Sequence, residues 1–212
     1  MTLADLRREY SRQQLNESAV NEDPIKQFEL WFSEAVKSEV PEPNAMTLST
    51  VSPGGFPSGR IVLLKGIQDE GFVFYTNYQS GKARDMEKNG VVALTFFWSE
   101  LERQVRIQGT VKKVSRETSE TYFKSRPRDS QIGAWASPQS APIKSREILE
   151  QRKKEIMERF SNEKSLPLPN QWGGYHVKPF LMEFWQGRPS RLHDRIMYTR
   201  EKESWKLSRL AP

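Results

Sequence analysis

Between residues 45 and 114, apolar and polar residues repeat with a period of two, the signature of half-buried strands. The clearest run sets Val105, Ile107, Gly109 and Val111 against Gln104, Arg106, Gln108 and Thr110. Strands are predicted over 45–51, 59–66, 71–77, 91–99 and 102–114. Turn signals at Ser52-Pro53-Gly54-Gly55, Gln68-Asp69-Glu70-Gly71 and Asn89-Gly90 separate several of them. A second block reads as strands over 173–177, 181–186, 192–199 and 204–210. Helical spacing governs four other stretches. Ile25, Phe28, Trp31, Phe32 and Ala35 follow the helix start Asp23-Pro24. Residues 80–88, 115–126 (stopped by Pro127) and 145–160 read as further helices. Many short strands with few crossover helices predict a mainly β, α+β chain, an antiparallel barrel or sandwich with helices added. One domain over 1–212 is expected, with an N-terminal arm and helices to about residue 38.

Composition narrows the chemistry. The 212 residues include no cysteine. Disulfides, thiolate nucleophiles and cysteine-held metal are thereby excluded. With only His176 and His193, a multi-histidine metal site is not expected either, so the expected metal content is none. Residues 1–10 are charged from Asp5 onward and carry no apolar leader, and no stretch suits a membrane span. A cytoplasmic protein without membrane partners is the expectation. The net charge of +6 is spread among acidic residues with no long basic run. That favours small phosphorylated ligands over nucleic acid. No glycine-rich dinucleotide or Walker motif occurs.

Four groupings carry candidate chemistry, each with a bland alternative that the pattern alone leaves open. Arg191, His193 and Arg195 alternate along a predicted strand and so share a face. They make a receptor for an anionic ring compound, or a solvated outer face. Tyr122 and Arg126 are four apart on a predicted helix, with Ser130 just beyond. A phenol, a guanidinium and a hydroxyl hold a phosphate well, or make an ordinary surface contact. Thr76, Ser80 and Lys82 surround a predicted helix start, an anion site or a plain Ser80 cap. Arg60 and Lys65 are an odd number apart, so a regular strand sends them to opposite faces. They serve one site if the strand bulges or if its two ends meet different parts of a large ligand, and otherwise they are two unrelated surface charges.

The ordered set Arg60-Ile-Val-Leu-Leu-Lys65, Phe74-Tyr-Thr-Asn77, Glu102-Arg-Gln-Val105, Tyr122-Phe-Lys-Ser-Arg-Pro127, Ser130-Gln-Ile-Gly-Ala134, Gln139-Ser140, Trp172-Gly-Gly174, Glu183-Phe-Trp-Gln-Gly187, Arg191-Leu-His-Asp-Arg195 and Arg209-Leu-Ala-Pro212 resembles the pyridoxine (pyridoxamine) 5′-phosphate oxidase family over nearly the whole chain. The resemblance implies an FMN-binding split β-barrel of antiparallel Greek-key type, working as a homodimer with sites at the subunit interface. It implies oxidation of pyridoxine or pyridoxamine 5′-phosphate to pyridoxal 5′-phosphate, with hydride passing from C4′ to flavin N5 and oxygen giving hydrogen peroxide. By motif, FMN is expected at Arg60, Ile61, Val62, Leu63, Leu64, Lys65, Tyr75, Thr76, Gly81, Lys82, Gln104, Gln139, Ser140, Trp185 and Arg195. The phosphorylated pyridine is expected at Lys65, Tyr122, Arg126, Ser130, Arg191, Leu192 and His193, with Arg7, Arg8, Glu9 and Tyr10 closing over it. Arg191 and His193 are the expected catalytic pair, orienting the reacting edge. Gly81 departs from the family pattern, which often has arginine there. A related flavin oxidase on another aromatic, or a non-catalytic flavin- or haem-binding barrel, is the alternative.

Overall fold

A computed structural model describes Thr2, Asp5 and residues 9–212. Among these residues nine strands form one antiparallel sheet that closes on itself. The strands are β1 (Ala45–Val51), β2 (Pro57–Leu63), β3 (Gly66–Gln68), β4 (Gly71–Asn77), β5 (Val91–Trp98), β6 (Arg103–Lys113), β7 (Trp172–Gln186), β8 (Asp194–Glu201) and β9 (Ser204–Arg209). The order is β2-β1-β5-β6-β7-β4-β3. Closure follows because β2 and β3 are consecutive in the chain: one pairs with β1, the other with β4. The stretch predicted as a single strand over 59–66 breaks at Leu64 and Lys65. There the Leu64 N–H bonds to Asn44 at 2.8 Å and the Lys65 N–H to Val73 at 2.8 Å. β8 and β9 extend the sheet from the far half of β7, leaving the barrel split.

The two strands predicted around Pro179 are one. β7 runs 15 residues, and Pro179, which cannot donate, sits where the register with β6 shifts between Gln108 and Gly109. A bulge takes the residue that a regular ladder rejects. The inward face of the alternation is the core: Leu48, Phe74, Leu94, Phe96, Val105, Ile107, Met182, Phe184 and Ile196. Helix α1 (Pro24–Lys37) lays Phe28, Trp31 and Ala35 on it, and the Asp23 side chain caps its first turn through the Ile25 N–H. Helix α2 (Gly81–Lys88) joins β4 to β5.

Three helices between β6 and β7 build a smaller lobe: α3 (Arg116–Ser125), α4 (Arg128–Ala136) and α5 (Glu147–Arg159). Its own core is Phe123, Ile132, Phe160, Leu166, Leu168 and Trp172. α4 was not expected. Only Ile132 and Ala136 are apolar and buried on it, and its third buried residue is Gln131. The Gln131 amide replaces an apolar stripe by accepting from the Leu166 N–H at 2.7 Å and donating to the Arg126 carbonyl at 2.9 Å. No helix among the described residues is long and apolar enough to cross a membrane.

Candidate active site

Pro127 shapes the first half of the site. A residue before proline avoids helical ψ, so α3 stops and Arg126 is extended at φ −72°, ψ 147°. Its guanidinium stands 4.6 Å over the Trp172 ring. Trp172 also lies parallel to Tyr75 and Tyr122, whose centroids are 3.9 Å apart. This stack depends on Gly174, where a Cβ would stand 2.7 Å from the Tyr75 ring. Together they wall a cavity of about 470 Å³. That is the size of a small-molecule site. Ile61, Val62, Leu63 and Lys65 line another side, and Thr76, Lys82, Ser130 and Gln139 complete it. The break after Leu63 is what places both this strand and Lys65 on one cavity.

Two places in the cavity present a cationic side chain. Arg126 Nη1 is the one buried side-chain polar atom without a hydrogen-bond partner among the described residues. Native structures seldom leave a buried donor unpaired. Burial pushes the Arg126 pKa down from its ordinary value, and burial pushes that of Tyr122 up. The second place is the start of α2. The Ser80 side chain makes no cap there, contrary to the simple capping alternative. The Lys82 ammonium donates to Thr76 Oγ1 at 3.1 Å and Gln139 Oε1 at 3.2 Å. Burial, then the Arg60 charge, lowers its pKa. Arg60 itself folds back on the sheet, donating to Leu48 O, Thr50 Oγ1 and Ser58 Oγ. Leu64 points into the core at 7% exposure. Gly81 lies beside Ser140, and Arg84 Nη2 is 4.0 Å from where a Gly81 Cβ would be.

The remaining expected residues gather elsewhere, and none of them lines this cavity. Gln104, Trp185 and Arg195 are a cross-strand row on β6, β7 and β8. Arg195 Nε donates to Glu183 Oε1 at 2.9 Å, which raises the Arg195 pKa, and Arg106 pairs with the other Glu183 oxygen at 3.2 Å. The His193 ring packs 4.6 Å from Trp185, and Tyr10 meets both rings edge-on. The expected strand through 191, 193 and 195 is corrected: β8 begins only at Asp194. Pro189, Ser190 and Arg191 form a short 3-10 turn, with Ser190 and Arg191 at positive φ. The Arg188 N–H donates to His193 Nδ1 at 3.1 Å and fastens that turn. Arg191 and Leu192 are therefore exposed on a turn, not aligned with Arg195 on a strand face. Arg7 and Arg8 lie outside the described residues, and Glu9 is exposed.

One chain thus carries two separate groups of the expected residues, the proposed half-sites, on a continuous sheet. Ile61 pairs with Thr47, Thr47 with Thr95, Thr95 with Arg106 and Arg106 with Glu183, one outward row away from Gln104 and Trp185. Exposed Ile61 and Phe97 stud that face at 66% and 55%. Sequence reasoning did not assign Trp172 or Glu183 to the site. Trp172 is marked only by its Gly-Gly neighbours, and Glu183 by sharing a β7 face with Trp185.

Comparison with known proteins agrees with this architecture. A family model described as pyridoxamine 5′-phosphate oxidase matches residues 32–159. A second, the pyridoxine 5′-phosphate oxidase C-terminal dimerisation region, matches 172–212. Curated pyridoxine/pyridoxamine 5′-phosphate oxidases of Burkholderia thailandensis and Burkholderia pseudomallei are 56% identical, covering 100% of this chain and 99% of each relative. Among solved structures, PhzG from Burkholderia lata, in complex with tetrahydrophenazine-1-carboxylic acid, superposes with a TM-score of 0.89 at 28% identity, over 95% of this chain and 100% of that one. An FMN-binding protein from Nostoc punctiforme shares the fold at TM-score 0.69 and 16% identity, over 87% and 97% of the two chains. With one family model on most of the barrel and the helical lobe, another on β7, β8 and β9, and relatives matched end to end, the chain belongs to the pyridoxamine 5′-phosphate oxidase family.

Proposed function

We propose that this protein oxidises pyridoxine 5′-phosphate and pyridoxamine 5′-phosphate to pyridoxal 5′-phosphate, using FMN and molecular oxygen, as a cytoplasmic homodimer. The observation that carries the proposal is the pairing of two anion receptors in one aromatic-walled cavity. An unpartnered buried guanidinium, Arg126, sits on one side and the Lys82–Thr76–Gln139 group on the other. A phosphorylated cofactor and a phosphorylated substrate require two such receptors.

The residues present suit FMN. Lys82, Thr76 and the uncapped start of α2 would take its phosphate, with Gly81, Gln139 and Ser140 beside them. Residues 60–65, with Tyr75, would border the rest of the molecule, and Gln104, Trp185 and Arg195 would border it from the second half-site. FMN would supply a hydride acceptor for the substrate C4′ carbon and a route for the electrons to oxygen, which leaves as hydrogen peroxide; with pyridoxamine 5′-phosphate, water replaces the oxidised amine, which leaves as ammonia. The protein's work is to position and to exclude water. Arg126, Tyr122, Ser130 and Lys65 hold the substrate phosphate by charge-assisted hydrogen bonds. Arg191 and His193 orient the substrate's reacting edge, with Leu192 beside them. The arm through Glu9 and Tyr10, with Arg7 and Arg8, covers the ring. Because the two half-sites are separate on one chain, each working site combines the cavity of one protomer with the His193 face of its partner. The match to the family's dimerisation region supports this assembly.

The direct test is the purified protein's absorbance spectrum and its product. Flavin bands released on denaturation, with equal amounts of pyridoxal 5′-phosphate and hydrogen peroxide formed from pyridoxine 5′-phosphate, are expected. A flavin-loaded protein that leaves this substrate unchanged would refute the assignment.

A further inference from the structure

The N-terminal arm reaches the second half-site along a path held by a carboxylate that the reaction does not use. The backbone N–H groups of Ser11 and Arg12 both donate to Glu102 Oε2, at 2.9 and 3.0 Å. Glu102 is buried at 3% exposure and takes a left-handed φ of 55°. It closes the 3-10 turn Ser99–Leu101, a position where glycine would fit without steric cost. A strained non-glycine residue at such a place points to a task for its side chain, and the task visible here is gripping the arm. The contact is tight from below as well. The Gly187 N–H donates to the Glu102 carbonyl at 2.7 Å, and a Cβ on Gly187 would stand 2.7 Å from Cβ and Cγ of Tyr10. The adjacent Arg103 bonds Gln13 of the arm, Glu34 of α1 and, at 3.0 Å, Gln186. The end of this path is the Tyr10 ring, 5.7 Å from Trp185 and 6.0 Å from His193.

We propose that Glu102 is a positioning residue for the oxidase reaction. Its carboxylate latches residues 11 and 12, and the latch fixes Tyr10 against Trp185 and His193 so that the arm retains the substrate. Glu102 touches neither substrate nor flavin in this scheme and acts only through the arm. The proposal rests on the oxidase reading above for its kinetic consequence, though not for the latch itself.

Two readouts separate these. Trypsin cleavage after Arg12, followed by mass spectrometry on the flavin-loaded protein, reports the latch without any assay. It should be slow in the unaltered protein and at least about tenfold faster in Glu102→Ala, which loses two charge-assisted hydrogen bonds. Gly187→Ala, which crowds Tyr10 and leaves the carboxylate in place, should be cleaved faster too. Glu102→Gln keeps an acceptor oxygen and should restore most of the protection. In steady-state kinetics with pyridoxine 5′-phosphate, Glu102→Ala should raise KM about tenfold or more while kcat and bound flavin change less than about twofold. The double variant Tyr10→Ala/Glu102→Ala should be no worse than the poorer single variant, because both act through one contact. Unchanged cleavage in both Glu102→Ala and Gly187→Ala would overturn the latch. Additive losses in the double variant would make Glu102 a structural residue of the turn. If the unaltered protein did not turn over pyridoxine 5′-phosphate, the oxidase reading would fail, and the cleavage rates would still decide the latch.

Discussion

Arg126 is the residue on which the substrate assignment turns. Its side chain is ordered by Pro127 and by the Trp172 ring, yet one nitrogen is buried without a partner. In the proposed site, the substrate phosphate would supply that partner. Arg126→Ala should therefore raise KM for pyridoxine 5′-phosphate by roughly thirty-fold or more, since losing one side of a buried charge pair costs about 2–5 kcal/mol. Bound flavin should remain. Arg195→Ala should do the reverse: flavin is lost on dilution, and activity returns in part with excess FMN. Flavin content measured beside the kinetics of each variant distinguishes the two roles. His193 gives a pH signature. Burial, then the Arg191 charge, depresses its pKa below 6.5. A depressed histidine binds its proton less readily folded than unfolded, so its contribution to stability is full above 6.5 and is lost as pH falls below it. Protonation also removes the Nδ1 acceptor that the Arg188 N–H uses. The acid limb of kcat/KM should therefore lie below 6.5 and move upward in Arg191→Ala. A limb unmoved by that substitution would detach His193 from the pH profile.

At the level of elements, α1 seals one end of the core. Phe28 is fully buried and meets Phe72 and Phe96 at 4.9 and 5.0 Å. Phe28→Ala should cost about 3–5 kcal/mol of stability, read by denaturant unfolding. α1 was legible in the sequence because its apolar positions follow the helical period behind an Asp-Pro start. β1, β5 and β6 were legible because one face is core and the other is not, and β4 because a short apolar run, buried on both faces, follows a turn signal. Elements whose signal is not apolar spacing were missed. α4 is held by the buried Gln131 amide, and Pro127, a helix-start signal, was taken only as a stop. Pro179 suggested two strands where a bulge makes one. The pattern reads 191–193 as strand because alternating charges look the same on a strand and on a turn; positive φ at Ser190 and Arg191 does not show in residue types. The cavity residues were legible as a motif set. Their division into two half-sites was not, because it depends on which strand pairs with which.

For the molecule as a whole, the proposed dimer follows from that division. The cavity half lies where β2, β4, the start of β7, α2 and the helical lobe meet. The other half lies on the outer face of β6, β7 and β8, of which β7 and β8 fall within the region matched to the family's dimerisation model. Exposed Ile61, Phe97 and Leu192 on the intervening and adjoining surface suit burial against a second copy. A closed two-fold dimer would bring each cavity to a partner's His193 face and make two equivalent sites. The measurement that tests this most directly is complementation between two inactive variants, one altered in each half. Arg126→Ala and Arg191→Ala should each lose most of their catalytic efficiency alone. Mixed by co-expression, about half of the dimers combine the two chains, and in those one of the two sites is intact, so roughly a quarter of the full rate of pyridoxal 5′-phosphate formation should return. A mixture that never exceeds its parents would contradict a site shared between protomers.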